Sequence, residues 1–346
     1  MRADTWFIYA LGSGWGHLNR ALALAQTAAN HRSIHLLVNS PYAARLAPIV
    51  QATQSQSNLL TLHLLPRTAS LSAAKRAVQA ILTAVEYDCL IVDTFPRGLV
   101  GDLADLLPKL PAHCRVLVHR DLTPDYIEAK GVSAFVRQHY DGILIPGEID
   151  VPFLDLPQAK LTAPWLSRNA ADLIAKPLPH WKISTQQHLA IVCAAGQPHE
   201  LDFFGRIANQ LSATRPDLAV RCLSAICPNT CPPKLWISHW PGLDVLQFAD
   251  VVIGSGGYNL VHECAALDVP LIAFALPRRY DRQARRIRYF GQIVSSLEEA
   301  IAAVNSLTHL QASRKSAEAR SIDYSNGVTD AIAHIEAWSR KKRRVQ

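Results

Sequence analysis

The sequence predicts a doubly wound α/β protein built from two Rossmann-like domains. Three observations carry that expectation. Its 346 residues exceed what one hydrophobic core usually encloses. Hydrophobic residues make up 49% and charged residues 18%, the balance of a folded chain rather than a disordered one. Short apolar runs alternate with helical stretches along most of the length, as parallel strands joined by crossover helices do. Two domains of similar size, facing each other across a cleft, satisfy all three.

The elements follow in order. Residues 1–150 form the first domain, with strands expected at Trp6–Ala10, Ile34–Asn39, Leu60–Leu64, Cys89–Val92, Val116–His119 and Ile143–Pro146. Helical stretches such as Leu18–Ala29 and Ser72–Val85 lie between them, and the polar run Gln51–Asn58 reads as a surface loop. Residues 151–181 carry Pro152, Pro157, Pro164, Pro177 and Pro179. Proline removes a backbone donor and restricts its predecessor, so this stretch is expected to be a linker. Residues 182–328 resume the alternation, with strands at Leu189–Ala194, Ala219–Leu223, Leu235–Ser238, Val251–Ile253 and Leu271–Ala275. A last helical stretch, Thr329–Trp338, leads into a basic tail that ends the 329–346 segment.

Composition excludes several classes. Lys+Arg 35 against Asp+Glu 28 leaves a net charge of +7, part of it in the tail Arg340-Lys341-Lys342-Arg343-Arg344. That excess permits an anionic substrate or a membrane surface but is too small to indicate nucleic acid. No apolar run reaches the roughly 18 residues that span a bilayer. Met1–Ala10 passes directly into a glycine turn and so reads as a first strand, not a signal peptide. The 7 cysteines, an odd number without a disulfide framework, imply reduced thiols and a cytoplasmic protein, at most peripheral to the inner face of a membrane.

Two glycine loops carry the chemistry. The first, Gly12-Ser13-Gly14-Trp15-Gly16-His17, follows the first strand and opens a helix. Glycines let backbone approach a ligand closely, and a helix N-terminus offers free N–H groups and a positive dipole end. The dinucleotide pattern fails, because His17 stands where G-x-G-x-x-G needs its third glycine and the second strand ends at Asn39-Ser40 without an acid. The sequence also lacks a nucleoside-triphosphate loop and a G-x-S-x-G elbow. The second loop, Gly254-Ser255-Gly256-Gly257-Tyr258-Asn259, again joins a buried strand to a helix, with Glu263 one turn in. Backbone N–H groups there suit a diphosphate, and a carboxylate suits ribose hydroxyls. Ligands of open α/β sheets bind at such strand ends.

Gly257-Tyr258-Asn259-x-x-x-Glu263, then Pro270 and Asp281-Arg282-Gln283, resembles the donor signature of inverting nucleotide-sugar glycosyltransferases of the GT-B fold. UDP-dependent members carry H-C-G-W-N-S-x-x-E, G-x-P and a later D/E-Q. Bacterial lipid-linked peptidoglycan N-acetylglucosaminyltransferases carry S-G-A-x-x-x-x-E, G-x-P and D-R-Q-Q, and open with G-G-T-G-G-H, which is similar to Gly12–His17. Ser255 and Gly256 stand here where the first group has His-Cys, and Leu260 replaces its Ser. The resemblance implies transfer of a sugar from a nucleotide diphosphate donor, expected to be UDP-linked, to an acceptor hydroxyl with inversion. No metal and no cofactor beyond the nucleotide-sugar co-substrate is implied. It places the backbone of Gly256, Gly257, Tyr258 and Asn259 on phosphate, Glu263 on ribose, and Asp281 and Gln283 on sugar hydroxyls. Ile237–Pro241 is the candidate for base contact. The acceptor stays open, with lipid-linked and anionic acceptors both considered. A nucleotide-sugar epimerase and a non-catalytic nucleotide-sugar-binding subunit are the alternatives.

His17 is the candidate base, its imidazole titrating near neutrality; contact with the donor and simple helix capping are the other roles open to it. Asp93, after Cys89–Val92, and Arg120, after Val116–Val118, are expected on the acceptor side, where Asp93 would alternatively orient His17. Arginines 278, 279, 282, 285, 286 and 288 form the densest positive stretch, suited to pyrophosphate, to an anionic lipid surface or simply to solvent. Cys222, Cys227, Cys231 and His239 lack paired C-x-x-C spacing, and the Glu148-Ile149-Asp150 triplet is too short to argue for a metal.

Overall fold

A computed structural model describes residues 4–12, 14–45, 59–65, 70–111, 113–174, 188–310 and 323–345. The expected surface loop at 51–58 lies outside them. The chain divides into two units, Met1–Trp165 with Asn326–Gln346, and Leu166–Ser325.

The first unit is a seven-stranded, wholly parallel sheet of order β3-β2-β1-β4-β5-β6-β7. Its strands are β1 (Thr5–Tyr9), β2 (Ser33–Val38), β3 (Leu60–Leu64), β4 (Cys89–Asp93), β5 (Cys114–Val118), β6 (Gly142–Pro146) and β7 (Ala159–Thr162). β1, β4 and β6 are buried at every residue, as in sheets covered on both faces. The strand order reverses between β1 and β4, where helix Trp15–Ala28 leaves β1. That helix begins three residues earlier than the apolar pattern suggested, because extended Gly14 caps it.

The proline-rich stretch expected as a bare linker is partly structured. It supplies edge strand β7 and the short helix Ala170–Ile174. Between them Trp165 is buried, its indole N–H donating to Thr162 Oγ1 at 3.1 Å. A four-residue strand with an exposed lysine has too little apolar pattern to be read in advance.

Helix Val328–Val345 belongs to the first unit. Ala331 and Ile335 are fully buried, and Trp338 sits so close to Gly142 that a Cβ there would lie 2.4 Å from the indole. The helix runs seven residues past the expected end. Its basic turns are anchored: Lys342 pairs with Asp141 at 2.8 Å and Arg343 with Asp4 at 2.5 Å, while Arg32 pairs with Glu336.

The second unit repeats the plan with a six-stranded parallel sheet of order β10-β9-β8-β11-β12-β13. These are β8 (His188–Cys193), β9 (Leu218–Leu223), β10 (Trp236–Ile237), β11 (Val251–Ser255), β12 (Leu271–Phe274) and the unexpected three-residue edge strand β13 (Gln292–Val294). Side chains alternate faces along a strand. Ala190 and Val192 therefore join the core beneath helix Pro198–Thr214, while Leu189 and Ile191 join the core beneath helices Tyr258–Ala266 and Gln283–Phe290. The order reverses here between β8 and β11. Among the described residues, no helix is long and apolar enough to cross a membrane.

Candidate functional site

The first site gathers at the reversal point of the first sheet. Gly12 N–H donates to Asn39 Oδ1 at 2.7 Å, which ties the loop after β1 to the end of β2. Asn39 thus holds the loop at the place where a dinucleotide fold would keep its ribose acid. A Cβ on Gly12 would lie 2.0 Å from His17 Cδ2, so glycine is required there to seat the imidazole. Nothing lies within 4 Å of the corresponding positions on Gly14 and Gly16, and Ser13 lies outside the described residues.

His17 turns toward β4. Its Nδ1 meets Asp93 Oδ2 at 2.5 Å, and Phe95 stacks on the ring at 5.8 Å between centroids. Arg20, one turn further along the same helix, forks onto the carboxylate: Nε to Oδ1 at 2.8 Å, Nη2 to Oδ1 at 2.6 Å and to Oδ2 at 2.7 Å. Nη2 also donates to Thr94 Oγ1 at 3.1 Å. Arg20 and Asp93 are almost wholly buried, whereas the His17 side chain keeps 15% of its surface open. Thr94 holds a left-handed φ of 68°, unusual for a β-branched residue, at the tip of β4.

These contacts set the charges. Asp93 resists protonation: burial acts against ionisation, but Arg20 and His17 outweigh it and hold the carboxyl well below the usual range. An ionised carboxylate only accepts hydrogen bonds, so His17 Nδ1 carries the proton and Nε2 presents its lone pair. Burial foremost, then the Arg20 and Arg120 charges, keep the His17 pKa below its ordinary 6.5 although Asp93 pulls it upward. The result is a neutral imidazole of fixed tautomer at neutral pH. Buried Arg120 follows β5, beside His119, whose pKa burial pushes down to about 3.

The second site lies at the reversal point of the second sheet. Gly257, extended, caps helix Tyr258–Ala266. Its Cβ position meets nothing nearer than Ser255 Oγ at 3.7 Å, whereas a Cβ on Gly256 would strike Ile287 at 2.5 Å. Gly256 therefore serves the close packing of helix Gln283–Phe290, and Gly257 leaves open backbone. The Tyr258 ring is buried, 4.4 Å from His262, so any ligand contact here is through its backbone. Both polar side-chain atoms of Asn259 are shielded from solvent without a hydrogen-bond partner. Glu263, 6% exposed, shares this helix, and burial raises its pKa to about 8. A Cβ on Gly242 would come within 3.6 Å of Glu263 Oε2, which brings the loop after β10 to the carboxylate. In that loop His239 meets Asp244 at 3.2 Å.

The other expected donor residues are engaged internally. Gln283 Oε1 accepts from Leu276 N–H at 3.0 Å, and Asp281 pairs with Arg286, which also donates to the Gly256 carbonyl at 3.0 Å. Arg278 forks onto Glu200 at 2.5 and 2.9 Å. Arg278 and Arg286 of the basic run thus have internal partners, which reduces the charge available to an anionic surface. Arg20 is the residue that sequence reasoning missed. Its signal was an arginine three residues after His17 in an otherwise apolar stretch, Ala21–Ala25.

No family model matches the chain. NDP-glycosyltransferase YjiC of Bacillus subtilis (strain 168) is 33% identical over 112 residues, a match spanning 29% of this chain and 28% of that relative. Among solved structures, TcCGT1 in complex with UDP aligns over 100% of both chains with a TM-score of 0.63 at 12% identity. A Listeria monocytogenes protein described as a UDP-N-acetylglucosamine 2-epimerase aligns over 96% of this chain and 95% of its own, with a TM-score of 0.62 at 12% identity. The chain has the two-domain α/β fold of the GT-B type.

Proposed function

We propose that this chain is a glycosyltransferase that moves a sugar from a nucleotide diphosphate donor, UDP-linked, to an acceptor hydroxyl with inversion and without a metal. The observation that carries the reading is the His17–Asp93 pair at the reversal point of the first sheet. His17 Nε2 takes the acceptor proton, and the freed oxygen attacks the anomeric carbon from the face opposite the diphosphate. The carbon–oxygen bond to phosphate breaks, and the nucleotide leaves with the electron pair. In the second unit, backbone N–H groups from Gly257 onward and the helix dipole stabilise the charge growing on that leaving group. Asn259 supplies unfilled hydrogen-bonding capacity, and the buried Glu263 carboxyl is the partner for ribose hydroxyls. The names of the YjiC match and of the UDP-bound neighbour support the donor class.

Epimerisation of a UDP-sugar is the second reading, because a neighbour described as an epimerase fits the fold equally well and fold alone does not fix reaction. Incubation with UDP-sugars and a panel of hydroxyl acceptors separates the two. Glycosylated acceptor of inverted anomeric configuration supports transfer; new C2 or C4 epimers without acceptor overturn it.

A further inference from the structure

Helix Trp15–Ala28 sends two polar side chains to the tip of β4, His17 and Arg20, three residues and about one turn apart. Asp93 serves both. Oδ2 receives His17 Nδ1 and Arg20 Nη2, while Oδ1 receives Nε and Nη2 of Arg20 alone, and Nη2 continues to Thr94 Oγ1. His17 alone would leave the carboxylate plane free to turn and one buried oxygen without a partner.

Resting on the transferase reading above, we propose that Arg20 is a positioning residue for the His17 base, its guanidinium fork fixing the plane and charge of Asp93 so that the imidazole is held in one tautomer with Nε2 presented. The planar fork suits this task in a way an ammonium does not, because it meets a carboxylate through two parallel donors. Its charge matters as well. A lone Asp93 would attract a proton to the imidazole and so convert the base to its inactive acid; burial foremost, and Arg20 with it, opposes that pull. The charged groups facing the ring are Asp93 at the end of β4, Arg20 on the ring's own helix and Arg120 after β5. Asp93 alone favours the imidazolium.

The test uses the nucleotide-free full chain with labelled histidine, followed by nitrogen NMR across pH, beside Arg20→Met and Arg20→Lys. In the parent protein His17 should show a protonated Nδ1 and a midpoint below ordinary imidazole. Arg20→Met should raise that midpoint and mix the tautomers. Arg20→Lys keeps the charge but loses the fork, so the midpoint should stay near the parent value while the tautomers mix. In transfer assays Arg20→Lys should lower kcat by about 10-fold, less than the roughly 100- to 10,000-fold that a base itself contributes, with donor KM unchanged. A folded Arg20→Met protein with unaltered midpoint and tautomer overturns the proposal. If Arg20→Met fails to fold, Arg20→Lys decides, and unmixed tautomers in it overturn the proposal. The titrations need no substrate, so an inactive parent protein would sink the transferase reading without touching the assignment of Arg20.

Discussion

The two sheets share one topology and one reversal point, yet the loops there are finished differently. In the first unit every polar atom of Asp93 is taken, and Gly12 makes room for a side chain of the protein itself. In the second, Gly257 leaves open space, Asn259 has two shielded polar atoms without partners, and Glu263 sits buried. Unsatisfied buried polar groups cost free energy, so a protein that keeps them leaves capacity for a ligand. The difference matches the division of labour that the transferase proposal requires: a complete first loop acting through a side chain, and an incomplete second loop left to bind.

Removing His17 should separate the two loops most sharply. His17→Ala is expected to lower kcat by roughly 100- to 10,000-fold, the usual contribution of a positioned general base; turnover near the parent rate with the native acceptor would end its assignment. Glycines in the same loop should then behave in opposite ways. Gly12→Ala forces a Cβ into the imidazole and should cost about 1–3 kcal/mol of stability, as overpacking does. Gly16→Ala, with open space around it inside the helix, should gain about 0.5–1 kcal/mol. Chemical denaturation measures both, and equal effects would show that the imidazole seat is not what Gly12 serves.

Proton linkage sharpens the contrast on a smaller scale. His17 has a pKa below 6.5, so its neutral form persists into mildly acid solution. The acid limb of kcat/KM should therefore fall below pH 6.5, and a limb above that value would mean that the base is another group. Glu263 has the opposite sign. Its pKa is about 8 when folded against 4.5 for the free side chain, so the native state binds more protons than the unfolded chain between those values. Stability contributed by this group falls as pH rises through that window. Glu263→Gln should raise Tm more at pH 8 than at pH 5, and an equal change at both would remove the burial argument.

Much of this was legible in the sequence. The apolar runs of β1 and β4 are buried at every residue, and those of β8 and β11 at all but end positions, so their pattern announced two parallel sheets. Edge strands β7 and β13 were silent because each is short and half solvated. His17 was visible through its glycine loop and Asp93 through its place after a buried strand. Arg20 was not, since an arginine in a helix ordinarily reads as a solvated residue and its burial depends on a carboxylate 73 residues away. Asp281 and Gln283 carry a recognisable motif, yet their side chains hold Arg286 and the Leu276 backbone. A motif gives position; only the packed structure tells which atoms are already spent.

The division of labour is tested most directly by calorimetric titration of UDP into the parent protein, His17→Ala and Glu263→Ala at one pH, with melting temperatures recorded alongside. At pH 9, above the Glu263 pKa of about 8, the side chain is ionised and a hydrogen bond to it contributes about 1.5–3 kcal/mol, so Glu263→Ala should weaken UDP binding by about 10- to 100-fold. His17→Ala should bind UDP as the parent does, because a base acts on the acceptor in the transition state. A folded Glu263→Ala protein with parental affinity, or a His17→Ala protein that loses UDP, would contradict the account.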